Sequence, residues 1–158
     1  MVLYWIRVVF VSLEAVVLFL AALVWFVFRA ELEVLASGLS LNDEFLTYMF
    51  VAPVGIGLWV LNESRQLLQE DKESIKLLTE WPDYPRLKVH IWVGLLYCLV
   101  FAALSLVPWA AKSGVSSGAG LLLFVASIAG QLIVAATVYA ARIEVRELLA
   151  HASGRFQA

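Results

Sequence analysis

From Val8 to Phe28 the chain reads VVFVSLEAVVLFLAALVWFVF, apolar throughout except for Ser12 and a single carboxylate, Glu14. A bilayer's hydrocarbon core is roughly 30 Å thick and a helix climbs about 1.5 Å per residue, so about 20 such residues suffice to cross it. A cleaved signal peptide has a shorter apolar core, roughly 7–15 residues, followed by a small-residue cleavage site. This run is longer, and no A-x-A follows Phe28. It reads as an uncleaved membrane span whose helix continues through Arg29–Ala36 to Ser37-Gly38, with Gly38 expected in the left-handed cap conformation.

A carboxylate on this background is the most unusual residue of the chain. An ionised carboxylate near mid-bilayer costs at least about 2.5 kcal/mol on insertion scales. Glu14 is therefore expected to face a polar partner inside the bundle, with Gln131, Ser105 and Thr137 as candidates, or to be neutral. Arg7 lies on nearly the same helical face but about 10 Å away along the axis, long for a direct ion pair.

Three more apolar segments follow. Phe45–Leu61 is short and interrupted by Pro53, Gly55 and Gly57, which predict a kinked helix; Ser40, Asn42, Asp43 and Glu44 before it suit a helix start. Val89–Trp109 ends in Pro108-Trp109, and tryptophan favours the membrane boundary. The fourth segment, 118–141, is rich in small residues. Ala126 with Gly130, and Ala136 with Ala140, have the small-x-x-x-small spacing that lets helix backbones approach closely; Gln131 is its one strongly polar residue.

Composition supports the same class. With 63% hydrophobic residues and mean hydropathy +0.89 over 158 residues, the chain is too apolar for a soluble domain of this size, and one domain is expected. A net charge of −2 gives no basic face for nucleic acid. The single cysteine, Cys98, allows neither a disulfide framework nor a cysteine metal cluster and reads as a small buried hydrophobe.

The polar connections set the expected orientation. The long one, Asn62–Lys88, looks helical over its first part and should turn at Trp81-Pro82-Asp83-Tyr84-Pro85; its Glu63, Glu70, Asp71 and Glu73 alternate with Lys and Arg as on a solvated face. The stretch 142–158 continues the fourth helix into water. Nine of the 11 Lys and Arg fall on the side of the N-terminus, this connection and the C-terminus, leaving only Arg29 and Lys112 opposite. The positive-inside rule then places both termini in the cytoplasm, as in a bacterial inner membrane.

Several motifs invite chemistry and fail its requirements. Pro53-Val54-Gly55-Ile56-Gly57 is similar to a potassium-channel filter, but a filter loop re-entering from outside would reverse the charge bias. Gly114-Val115-Ser116-Ser117-Gly118 matches G-x-S-x-G, but it lies in an outer turn while His90 and His151 belong to the inner side, so it reads as a helix start. The two histidines do not share a depth and suit neither haem nor metal. Leu13-Glu14-Ala15 in a first helix resembles the coupling glutamate of the small multidrug-resistance transporters, which are four-helix proteins. That resemblance implies a proton-coupled carboxylate, and it covers one residue and the helix count. The Asn62–Lys88 connection departs from the short loops of those transporters.

The expectation is an all-α integral membrane protein: four transmembrane helices (8–28, 45–61, 89–109 and 118–141) in an antiparallel bundle, both termini cytoplasmic, with a cytoplasmic helical hairpin at 62–88 and a helical tail at 142–158. The expected role is non-enzymatic partner binding, as an accessory subunit, assembly factor or toxin-protective protein. The alternative is a small oligomeric proton-coupled transporter or channel built on Glu14 and Gln131. Besides the lipid bilayer, the expected partner is a second copy or another membrane protein; no cofactor, metal or nucleic acid is expected.

Overall fold

The computed structural model describes residues 8–39, 43–68, 81–110 and 114–155, without the side chains of 43–51, 68 and 151–155. Four helices make up nearly all of it: α1 (Leu13–Gly38), α2 (Asp43–Leu68), α3 (Tyr84–Ala110) and α4 (Gly118–Arg155), with a single 3-10 turn at Gly114–Ser116 before α4. No strand occurs among the described residues. Among the described residues, three helices are long and apolar enough to cross a membrane: α1, α3 and the Gly118–Ala150 part of α4. The expected span 45–61 lies in α2, of which residues 43–51 are described by their backbone alone. Residues 69–80 of the expected hairpin 62–88, together with Arg7, Lys112 and 156–158, lie outside the described residues.

Local chemistry explains where each helix begins. The run from Val8 to Phe28 is not one helix. Residues 8–10 are helical, the chain breaks at Val11-Ser12, and α1 starts afresh at Leu13. Ser12 is its N-cap, in extended conformation, with its hydroxyl accepting from the Ala15 amide at 3.2 Å. A hydroxyl that satisfies an otherwise orphaned amide competes with continued helix, which is why a serine can break an apolar run. Glu14 consequently sits in the first turn of α1, where a carboxylate suits the positive end of the helix dipole, and not deep within a span that began at Val8.

At its other end α1 runs to Gly38 through one residue with non-helical dihedrals, Phe28 (φ −116°, ψ 27°). Gly38 keeps a helical backbone instead of the expected left-handed one; Leu39, extended, closes the helix by donating to the Ala36 carbonyl at 3.1 Å. The positive-φ glycine among the described residues is Gly114 (φ 58°), in the 3-10 turn. Ser117 caps α4, accepting from the Gly120 amide at 3.1 Å, so the G-x-S-x-G sequence is a helix start.

α3 begins at Tyr84, ahead of the expected span 89–109. Pro82 lies in the turn, but Pro85 lies in the first turn of α3, where its missing N–H removes no intrahelical bond. The Asp83 carbonyl accepts from the Arg86 and Leu87 amides at 3.0 Å each, and its carboxylate pairs with Arg86 at 2.9 Å. α2 passes through Pro53, Gly55 and Gly57 as one continuous helix, which excludes a filter loop there.

α4 is the hub: α1, α2 and α3 all pack on it, and α2 also packs on α3. The main core gathers Val60, Phe101, Val134, Val138 and Val145, and a smaller cluster of Val115 and Phe124 lies near the start of α4. Between α-helices the tightest approach at a described glycine is at Gly130, where an added Cβ would fall 2.2–2.4 Å from the Phe101 ring. The last turns of α1 lie against the start of α4. A Cβ on Gly118 would meet the backbone of Leu32 and Glu33 at 2.8–2.9 Å, and the Glu33 carboxylate accepts from the Gly118 amide at 3.0 Å. Elsewhere α1 leaves most of its apolar side chains uncovered, Phe26 at 84% being the extreme.

Candidate functional site

The polar chemistry of the described residues collects at two levels of the bundle. The first is a half-open cavity of about 610 Å³ between the start of α1, the first half of α3 and the middle of α4. Its polar lining is Ser12, Glu14, His90, Thr137 and Glu144. The start of α1 is held there by the Tyr97 hydroxyl, which donates to the Val9 carbonyl at 2.6 Å. That bond ties α3 to a carbonyl of the helical residues 8–10, just before the break at Val11-Ser12.

Glu14 is 6% exposed and has no hydrogen bond or ion pair among the described residues. Of its three expected partners, only Thr137 lines the same cavity, and the Thr137 hydroxyl donates to the Val134 carbonyl at 2.8 Å. The Ser105 hydroxyl is likewise spent within its own helix, on the Ala102 carbonyl at 2.7 Å.

Gln131 belongs to the second level. It precedes Thr137 by six residues on α4, about 9 Å along the axis, and it does not line the cavity. Glu14 and Gln131 are thus not brought together. Gln131 is fully buried, and both its amide atoms lack a hydrogen-bond partner among the described residues. Its neighbourhood is Gly57 and Cys98: a Cβ on Gly57 would lie 3.8 Å from Gln131 Nε2 and 3.5 Å from Cys98 Sγ.

A third polar group was not expected from sequence. Glu63, read as part of a solvated face, is buried at 8% exposure and forms an ion pair with Arg142 of α4, whose Nη2 also reaches Gln66 Oε1 at 3.3 Å. The partners are 79 residues apart, so only the tertiary arrangement reveals them. The pair fixes the end of α2 against α4.

The expected helix-packing residues divide. Ala126 and Gly130 are buried, Gly130 directly under Phe101; Ala136 and Ala140 are exposed, so in a single chain no helix closes over them. Pro53 is buried, Gly55 has nothing within 4 Å of an added Cβ, and Gly57 faces Cys98 and Gln131. Among the described residues no three His, Cys, Asp or Glu side chains are grouped to hold a metal.

No family model matches the sequence, no curated protein matches it, and no solved structure matches the fold.

Proposed function

We propose that the chain is a four-span integral membrane protein, both termini cytoplasmic, that acts without catalysis by binding a protein partner through its inner layer. Paired contacts support an antiparallel bundle. Along α4, the level of Gly118 meets the end of α1, Gly130 meets Phe101 of α3, and Arg142 meets the end of α2. The cavity joins the start of α1, the early turns of α3 and residues 137–144 of α4. With the excess of Lys and Arg at that end, the rule for cytoplasmic loops makes it the inner one.

The observation that carries the reading is the contrast between a filled middle and a polar inner end. Phe101 lies on Gly130 with Val60, Val134 and Gln131 fully buried around it, leaving dry packing where a single-chain pore would run. At the inner end, α4 continues past the Glu63–Arg142 pair and exposes Ile143 and Leu148 among charged residues. Apolar side chains set in a polar rim are the anatomy of a docking surface.

One observation favours a second reading, an oligomeric proton-coupled transporter: the buried, unpartnered Glu14 at the cavity. Proteoliposomes separate the two. The partner-binding reading expects no proton flux above that of protein-free vesicles and no effect of Glu14→Gln; a flux abolished by Glu14→Gln with the fold intact would replace it with transport.

A further inference from the structure

We infer that the cavity at the inner end of the bundle is a receptor for one basic side chain, a Lys or Arg at the cytoplasmic end of a partner's membrane helix. This rests on the partner-binding reading and adds to it what is recognised and where. Glu14 is more than nine-tenths buried, lines the cavity and has no partner of its own. Burying an uncompensated carboxylate is costly, and an opposite charge delivered to it offsets that cost. Glu144 adds a second carboxylate to the same wall, so anions such as a phosphate headgroup are disfavoured.

No Lys or Arg lines the cavity, and Arg142, the nearest basic residue along α4, is committed to Glu63 and Gln66. The site therefore holds two carboxylates and, among the described residues, no Lys or Arg, with His90 as its remaining titratable side chain. The remaining walls, including Leu87, Ile91 and Val138, are apolar. A long aliphatic stem ending in a cation fits both features: the stem lies along the apolar wall while the charged head reaches the carboxylates. A cavity of about 610 Å³ has room for such a side chain and part of its neighbours. The membrane supplies candidates at this depth, because Lys and Arg concentrate at the cytoplasmic ends of spans.

The chemistry is tested first on the purified full chain in zwitterionic lipid discs, titrated with decylguanidinium, decanol and decyl sulfate. Decylguanidinium should bind, about tenfold or more weakly to Glu14→Gln, and unchanged to Glu31→Gln on the exposed outer part of α1. Equal binding of decanol, or no loss in Glu14→Gln, would overturn the inference. The source is tested in cells of the native host with a photocrosslinking residue at Ala141, in the cavity wall, or at Arg146, on the exposed inner part of α4. The Ala141 probe should capture a protein through a peptide containing Lys or Arg. That product should vanish in Glu14→Gln and in Thr137→Lys, which puts an ammonium of the chain's own into the cavity. Capture of lipid alone, of this chain alone, or of a protein insensitive to both variants refutes the basic-residue receptor. If the Arg146 probe still captures a partner in that case, partner binding survives; if both probes are silent, both readings fall.

Discussion

The same substitution, glycine to alanine, should have opposite effects at Gly130 and at Gly55. In a helix interior alanine is favoured over glycine by about 1 kcal/mol, a term that both positions share. At Gly55 nothing lies within 4 Å of the new Cβ, so Gly55→Ala should stabilise the protein by up to about that amount. At Gly130 the Cβ would fall 2.2 Å from Cζ of Phe101. Carbon atoms are at optimal contact at roughly 3.5–4.0 Å, so ring or helix must retreat by more than about 1 Å. Phe101 is fully buried and stacked at a 30° tilt against Tyr97, 6.2 Å between centroids, so its ring has no free direction. Overpacking of this kind costs about 1–3 kcal/mol, which should be the gap between the two variants. Equilibrium unfolding in mixed detergent micelles, followed by helicity, measures it. Adding Phe101→Leu should recover part of the Gly130→Ala loss, giving a favourable coupling in the double-mutant cycle. A Gly130→Ala protein as stable as Gly55→Ala would show that α3 and α4 do not approach closely at this level.

Three further outcomes follow from the buried polar groups and the orientation. Gln131→Leu should leave stability unchanged or raise it, by up to about 1–3 kcal/mol, because it removes an amide buried without partners; a marked loss of stability would mean that the amide is satisfied in the membrane. Arg142→Ala should cost toward the lower end of about 3–5 kcal/mol by stranding the buried Glu63, and Glu63→Leu with Arg142→Leu should recover most of it; equal losses in single and double variants would contradict the pairing. In sealed cells of a Cys98→Ala background, a membrane-impermeant thiol reagent should label Glu31→Cys but reach Arg146→Cys only after the membrane is opened; the reverse pattern would invert the proposed orientation.

The sequence was most informative where length and hydropathy act alone. Apolar runs long enough to cross a bilayer became α1, α3 and α4, and the continuation of the first helix to Gly38 followed from the absence of any breaker in 29–37. It was less informative where a local hydrogen bond competes with a hydrophobic run. Ser12-Leu13-Glu14 is a cap followed by a first-turn carboxylate, a helix-start signal hidden in apolar surroundings. That signal would have moved Glu14 from mid-span to a helix end. Asp83 followed by Pro85 is a start signal of the same kind for α3, obscured because two prolines in five residues suggest only a turn. The Glu63–Arg142 pair and the choice of Gly130 over Ala136 as the close contact depend on which faces meet, and the spacing of small residues is the same in both halves of α4. For the cavity, sequence singled out Glu14 but not His90 or Glu144 as its neighbours.

Everything proposed for this bundle depends on a protein partner held at the end that carries the Glu63–Arg142 pair. The most direct measurement is purification from the native host in a mild detergent, followed by native mass spectrometry of the intact assembly. A complex of fixed stoichiometry with a different protein is expected, dissolved by Ile143→Asn together with Arg146→Ala, which alter the exposed face of α4 at 143–146 while leaving its core contacts in place. An assembly containing only copies of this chain, unchanged by those substitutions, would contradict it.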